Sequence, residues 1–407
     1  MAESMQTGSF RWMKSINKST ILNVIRLHGP ISRAEIAKMT TLTPPTVTNI
    51  VGELLESGVV LESELGESTG GRKPILLTIN PSAFQVIGVY VSAHRVLGVV
   101  CDLNGKTVDE AEMSLSPQPT AESFLETVQE VIQQLEGGIK QRETPLLGIG
   151  VGMHGLVDSD RGISLFAPNL SLRNLPLRTF LEEHFRVPIW VENNVRAMVL
   201  AESWFGQGKG LDDFICVHVG SGVGAGIFSA RSLVRGPSYT AGELGHIIID
   251  SSGPHCGCGN TGCLEAFASG PAMERRARER LRAGAQSLLH ERFEGRWEKV
   301  TGPVLTEAAR EGDPFSKEIL AETGRWLGIG LANLVNLLNP RRIILNGGVF
   351  DAGSLVLEPL ENTVRERALS APAEDVTIVV SDLGKKAGAT GSATLVLQTL
   401  FQPQAED

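Results

Sequence analysis

Apolar residues recur along this chain in two rhythms, and the first change of rhythm falls near residue 59. Ile21, Val24 and Ile25 put one apolar face on a first helix, which stops at His28-Gly29-Pro30. Ser32-x-x-Glu35 is a capping box that opens a short second helix. Thr40-Thr41-Leu42-Thr43 makes a turn, and Thr43 ahead of Pro44-Pro45 predicts an N-cap with proline in the first turn of a third helix. That helix runs to about Ser57 with Val47, Ile50, Val51, Leu54 and Leu55 on one stripe, and Gly58 ends it. The period then shortens to that of strands, at 59–64 and 75–79, on either side of a glycine-rich loop with Arg72 and Lys73 at its tip. Three helices followed by a hairpin predict a winged helix-turn-helix over residues 1–82, closed by Asn80-Pro81-Ser82.

Beyond residue 83 strands and helices alternate. The runs 86–91, 96–101 and 107–113 read as successive strands, the second pair turned at Asn104-Gly105. A helix from about Thr120 presents Phe124, Val128, Val131, Ile132 and Leu135 on one side. A buried strand at 146–151 runs into a glycine-rich turn ending at Met153-His154-Gly155, and a strand at 188–192 runs into Asn193-Asn194 and a helix. Residue 214 starts the pattern again, through the turn 220–226 (GSGVGAG) to a strand at 342–346 followed by Gly347-Gly348. The expected body, 83–407, is α/β with two lobes and a cleft, the second lobe beginning near residue 210.

Composition adds direction. The 37 basic and 46 acidic side chains give a net charge of −9, yet every charged residue between Glu3 and Glu35 is positive. An acidic body with a locally basic head points the head toward a polyanion. Candidate DNA contacts are Arg33, Thr43, Thr46, Thr48 and Asn49 around the third helix, with Arg72 and Lys73 on the wing. A helical protein-interaction module with a solvated polar face is the competing reading. Operator DNA as partner implies paired half-sites, hence a homodimer or homotetramer. No apolar run is long enough to span a membrane and the N-terminus lacks a signal-peptide core, so a cytoplasmic protein is expected.

The chemistry concentrates in GELGHIIIDSSGPHCGCGNTGCLE, residues 242–265. Cys256, Cys258 and Cys263 with His246 form a closed Cys3His set, which suits a structural, tetrahedral Zn2+ rather than a catalytic one. Reduced thiols beside a buried histidine are the alternative. Folding the loop around a metal would also fix Glu243 and Glu265.

These stretches resemble the ROK family of bacterial sugar kinases and sugar-responsive repressors. The resemblance rests on GSGVGAGI at 220–227, GELGH at 242–246, CGCGNTGCLE at 256–265, and LNP at 338–340 followed by GG. ISRAEIAK at 31–38 and the GGRKP wing look like the repressor branch, the xylose-repressor-like proteins especially. The resemblance implies an actin-like, ribonuclease-H-like pair of lobes and a monosaccharide effector held by Gly155, Asn193, Asn194, Glu243, His246 and Glu265. It also implies that this member is not a kinase. The family's Asp-x-Gly-Gly-Thr is here Tyr90-Val91-Ser92-Ala93-His94, and the position of its catalytic aspartate is Asn194. A carboxamide cannot accept a sugar hydroxyl's proton. Met153-His154 also departs from the family's small residue and proline, which touches the sugar's identity. An active glucose or aminosugar kinase with a DNA-binding head, and a repressor controlled by a partner protein, are the other expectations.

Overall fold

The computed structural model describes residues 10–65 and 73–402. The first helix, Phe10–His28, buries Ile21, Leu22 and Ile25. The second, Arg33–Thr40, begins at the expected capping box: Ser32 Oγ accepts the Glu35 N–H at 3.3 Å and Glu35 Oε2 accepts the Ser32 N–H at 3.0 Å. Two amides that a helix start leaves open are thereby satisfied, and the Ser32 hydrogen bonds hold the Glu35 carboxyl below its ordinary range. Thr43 caps the third helix, Pro44–Glu56, which buries Val47, Ile50, Val51 and Leu54.

The strands Val60–Leu65 and Ile75–Ile79 make the wing, joined by a strand the periodicity does not reveal. Ile31 and Ser32 pair antiparallel with Leu77 and Leu76; two residues are too few to show alternation, and the free edge of Ile75–Ile79 recruits them. The first helix also meets the end of the last, Ala387–Phe401: Asn23 Nδ2 donates to the Phe401 carbonyl at 2.7 Å, and the Arg26 guanidinium lies 5.5 Å from the Phe401 ring. Burial pushes the Arg26 pKa down to about 10.

The chain divides into two compact units, residues 1–151 with 176–191 and 392–407, and residues 152–175 with 192–391. A five-stranded sheet, most of it in the first unit, runs edge to edge Ile189–Asn193, Leu146–Met153, Gln85–Val91, Arg95–Cys101, Thr107–Ser114. The helix Ala121–Gln141 buries Phe124, Val128, Val131, Ile132 and Leu135, the stripe read from the sequence. The expected tight turn at Asn104-Gly105 is longer. Cys101 pairs with Thr107, and Asp102 Oδ1 accepts the N–H groups of Asn104 and Lys106, both at 2.9 Å, to order residues 102–106.

In the second unit the sheet order is Ser232–Leu233, Val223–Ser229, Phe214–Val219, Arg342–Asn346, Thr377–Val380. The last three strands are parallel and the others antiparallel. Val217, Leu327, Leu331, Leu345 and Leu360 belong to its large core. The helix Asn194–Phe205 joins this unit, since Val195 and Val199 fill the space left by Gly224 and Gly226. The unit therefore takes in residues well before 210, where the sequence reading opens the second lobe. A small sheet of Leu156–Asp158, Ile163–Ala167 and Leu172–Leu175, not anticipated, belongs to it as well. No helix among the described residues is long and apolar enough to cross a membrane.

Candidate functional site

The segment 242–246 lies flat on the strand Val223–Ser229. Gly242 adopts φ +94°, its carbonyl accepts the Ala225 N–H at 2.9 Å, and a Cβ there would stand 2.0 Å from the Ala225 carbonyl oxygen, so only glycine fits. Glu243 and His246 project from this segment. Farther along, Ile248 bridges to Cys263 and His255 to Thr261. These short pairings gather His246, Cys256, Cys258 and Cys263, whose ligand atoms all lie within 4.8 Å of one another. Cys256 Sγ is 3.7 Å from His246 Nδ1, and Cys258 Sγ is 3.7 Å from Cys263 Sγ. Metal–sulfur bonds of about 2.3 Å at a tetrahedral ion place two sulfurs about 3.8 Å apart. The donor set can hold such an ion.

His246 has a second neighbour, because its Nε2 lies 3.9 Å from Glu243 Oε2. Burial raises the Glu243 pKa; the Arg196 guanidinium opposes that rise, and the Glu265 carboxylate adds to it. Glu265, in the first turn of Leu264–Ala268, accepts the Val223 N–H with Oε2 at 3.0 Å, while Oε1 lies 3.8 Å from Cys256 Sγ. Gly222 leaves the room: a Cβ there would meet Glu265 Oε2 at 2.4 Å. The glycine turn thus closes a hairpin and gives an amide to Glu265.

Asn193 caps its helix, Oδ1 accepting from Val195 and Arg196 N–H at 2.9 and 3.1 Å, while Nδ2 donates to the Gly155 carbonyl at 2.9 Å. Asn194 beside it is buried. Gly155 and Asn193 are therefore joined directly, as are Glu243, His246, Glu265 and the cysteines, and all lie in the second unit. Beneath Asn193 is a network that sequence reasoning missed. Glu192 is 1% exposed, and its Oε1 accepts from Ser159 Oγ, the Asn193 N–H and Arg196 Nε at 2.8, 2.7 and 2.7 Å. Its Oε2 accepts from Arg235 Nε at 2.8 Å, and Arg196 Nη1 donates to the Tyr239 carbonyl at 2.7 Å. Glu192 lies at the end of a strand and Arg196 in the first turn of the next helix, so the pair spans a strand–helix junction that no helical spacing marks; nothing local marks Arg235.

In the head, Arg33 pairs with Glu62 at 3.0 Å. The Thr43 and Thr46 hydroxyls bond each other at 2.9 Å, and Thr48 Oγ1 donates to the Pro44 carbonyl at 2.9 Å. Asn49 and Lys73 are exposed, and Arg72 lies outside the described residues. In the first body hairpin, Ser92 Oγ accepts from His94 and Arg95 N–H at 3.3 and 3.2 Å, closing the turn on itself.

Residues 86–399 match the ROK family, and residues 15–60 match the winged helix-turn-helix DNA-binding family. The xylose repressor of Caldicellulosiruptor bescii is 33% identical over 397 residues, covering 97% of this chain and 98% of that one. The crystal structure of a ROK family transcriptional regulator, a homologue of the E. coli MLC protein, superposes with a TM-score of 0.84 at 29% identity over 96% of this chain and 97% of that one. A ROK family glucokinase from Streptomyces griseus, solved with glucose and AMPPNP, gives a TM-score of 0.69 at 34% identity, covering 77% of this chain and 99% of its own. The chain belongs to the ROK family. It combines a kinase-like α/β body with an N-terminal winged helix-turn-helix.

Proposed function

We propose that this protein is a cytoplasmic transcriptional repressor of carbohydrate metabolism, its DNA affinity set by a sugar bound beside a zinc ion. The observation that carries the reading is the two-ended imidazole of His246, with Nδ1 toward Cys256 Sγ and Nε2 toward Glu243. A metal on one nitrogen orients the other for a ligand hydroxyl, so metal and effector share one side chain. His246, Cys256, Cys258 and Cys263 hold the zinc; it supplies shape, because four protein ligands leave no open position. Gly155, Asn193, Asn194, Glu243, His246 and Glu265 receive the sugar. Arg33, Thr43, Thr46, Thr48, Asn49, Arg72 and Lys73 face operator DNA, bound by a homodimer or homotetramer. Arg33 then exchanges Glu62 for phosphate.

No phosphoryl transfer is assigned. Asn194 offers no base, and Ser92 fills the first hairpin turn with its own hydrogen bonds. The likeness to a glucokinase favours retained kinase activity as the second reading. Formation of ADP and sugar phosphate from ATP with xylose, glucose and N-acetylated aminosugars decides between them: none is expected, and sugar-dependent turnover contradicts the repressor-only account.

A further inference from the structure

The third helix of the head contains a glycine that its own fold does not need. Gly52 lies inside Pro44–Glu56, and its φ is not in the left-handed region. A Cβ added there meets nothing within 4 Å outside the local helix backbone. Glycine is the poorest helix former after proline, because it loses the most backbone freedom. Neither backbone nor packing accounts for it.

Its position does. At about 100° per residue, positions 45, 48, 49, 52 and 56 fall within one sector roughly 100° wide. Val47, Ile50, Val51 and Leu54 are buried away from that sector, while Pro45, Thr48, Asn49 and Glu56 are exposed. Gly52 stands in the middle of the exposed face, one turn beyond Thr48 and Asn49. The last turn carries Glu53, paired with Lys14 at 2.7 Å, and Glu56. Lys14 offsets the Glu53 charge, but the exposed Glu56 carboxylate repels phosphates, so the helix approaches DNA through its first half and middle.

We propose that Gly52 is a close-approach residue of the DNA interface: its missing side chain lets the middle of the helix lie against the duplex, so that Thr48 and Asn49 reach base edges. This rests on the DNA-binding reading of the head. A methyl group at 52 would point from the centre of the face and hold the helix off.

The test is Gly52→Ala in the full-length chain, probed with a duplex that the wild type selects from a random-sequence pool. The two readouts should move in opposite directions. Alanine strengthens the helix, so its amides should exchange about two- to fivefold more slowly. Affinity should fall on the order of tenfold, the scale of one lost base contact. Gly52→Ser and Gly52→Leu should extend the loss in order of side-chain size while amide protection stays at least at the wild-type level, which separates the effect from unfolding. Binding by Gly52→Ala equal to or tighter than wild type overturns the proposal. Failure of the wild type to select any duplex overturns the DNA-binding reading itself.

Discussion

The head and the cysteine loop are held in unlike ways. The three helices of the head bury Ile21, Ile36, Val47, Ile50 and Leu54 completely or nearly so, and the starts of the second and third are fixed by the side chains of Ser32 and Thr43. The loop 242–265 has regular structure at Leu244–His246 and from Leu264; Leu244 and Leu264 anchor its two ends in the core of the second unit, with Ile247 and Ile249 packed against it, and Cys256 and Cys263 cluster with Ala266. Its backbone turns through isolated bridges rather than a ladder. The stretch 250–262 between those anchors is mostly exposed and draws its rigidity from elsewhere. In this account that source is the ion, so the loop's shape depends on metal and the head's does not.

The largest expected effect breaks the loop alone. Cys258→Ser should lose most of the bound zinc and lower sugar affinity with it, since structural zinc contributes on the order of 10 kcal/mol to the fold it organises. Hydrogen exchange should show the change confined to residues around 242–265, with the head unaltered. Metal analysis finding one zinc per chain in the variant contradicts the assignment.

A smaller effect concerns the sheet below the loop. Burial pushes the His218 pKa down to about 4 from an ordinary 6.5. The unfolded chain therefore binds this proton first, so the stability that the neutral ring gives is full above pH 6.5 and lost as pH falls toward 4. His218→Asn should flatten the acid side of the stability profile by about 1–3 kcal/mol. Urea unfolding of both proteins between pH 7 and 4.5 measures it, and parallel profiles would rule the histidine out. Acid release of zinc affects both chains alike and cancels in the difference.

The smallest effect lies in the head. Ser32→Ala removes one half of the capping box and should cost about 1 kcal/mol, read as faster exchange of the amides at the start of Arg33–Thr40. Zinc content should not change. A metal loss here would show that head and loop are less independent than the comparison holds.

What was legible in the sequence follows the same division. The head's caps, helix stripe and wing are local patterns, written in neighbouring residues, and Ser32, Glu35 and Thr43 make the bonds their spacing announces. The Cys3His group was legible because sulfur and imidazole at that spacing have few other uses. The Glu192 network was not, because Ser159 and Arg235 reach it from 33 and 43 residues away. The strands between 156 and 175 are too short to display alternation, and Asp102 reshaped a turn that Asn104-Gly105 alone would have made tight.

The central claim is that sugar and operator are coupled through one chain, and calorimetry with a monosaccharide panel, run with and without the selected duplex, tests it most directly. Coupling is reciprocal and commonly about 1–3 kcal/mol, so a sugar that shifts DNA affinity should have its own affinity shifted by the same factor when DNA is bound. Glu265→Gln should weaken the sugar while leaving sugar-free DNA binding nearly unchanged. A sugar that binds with equal affinity to the free and DNA-bound protein contradicts the account, and binding by no sugar at all points to a partner protein as the signal.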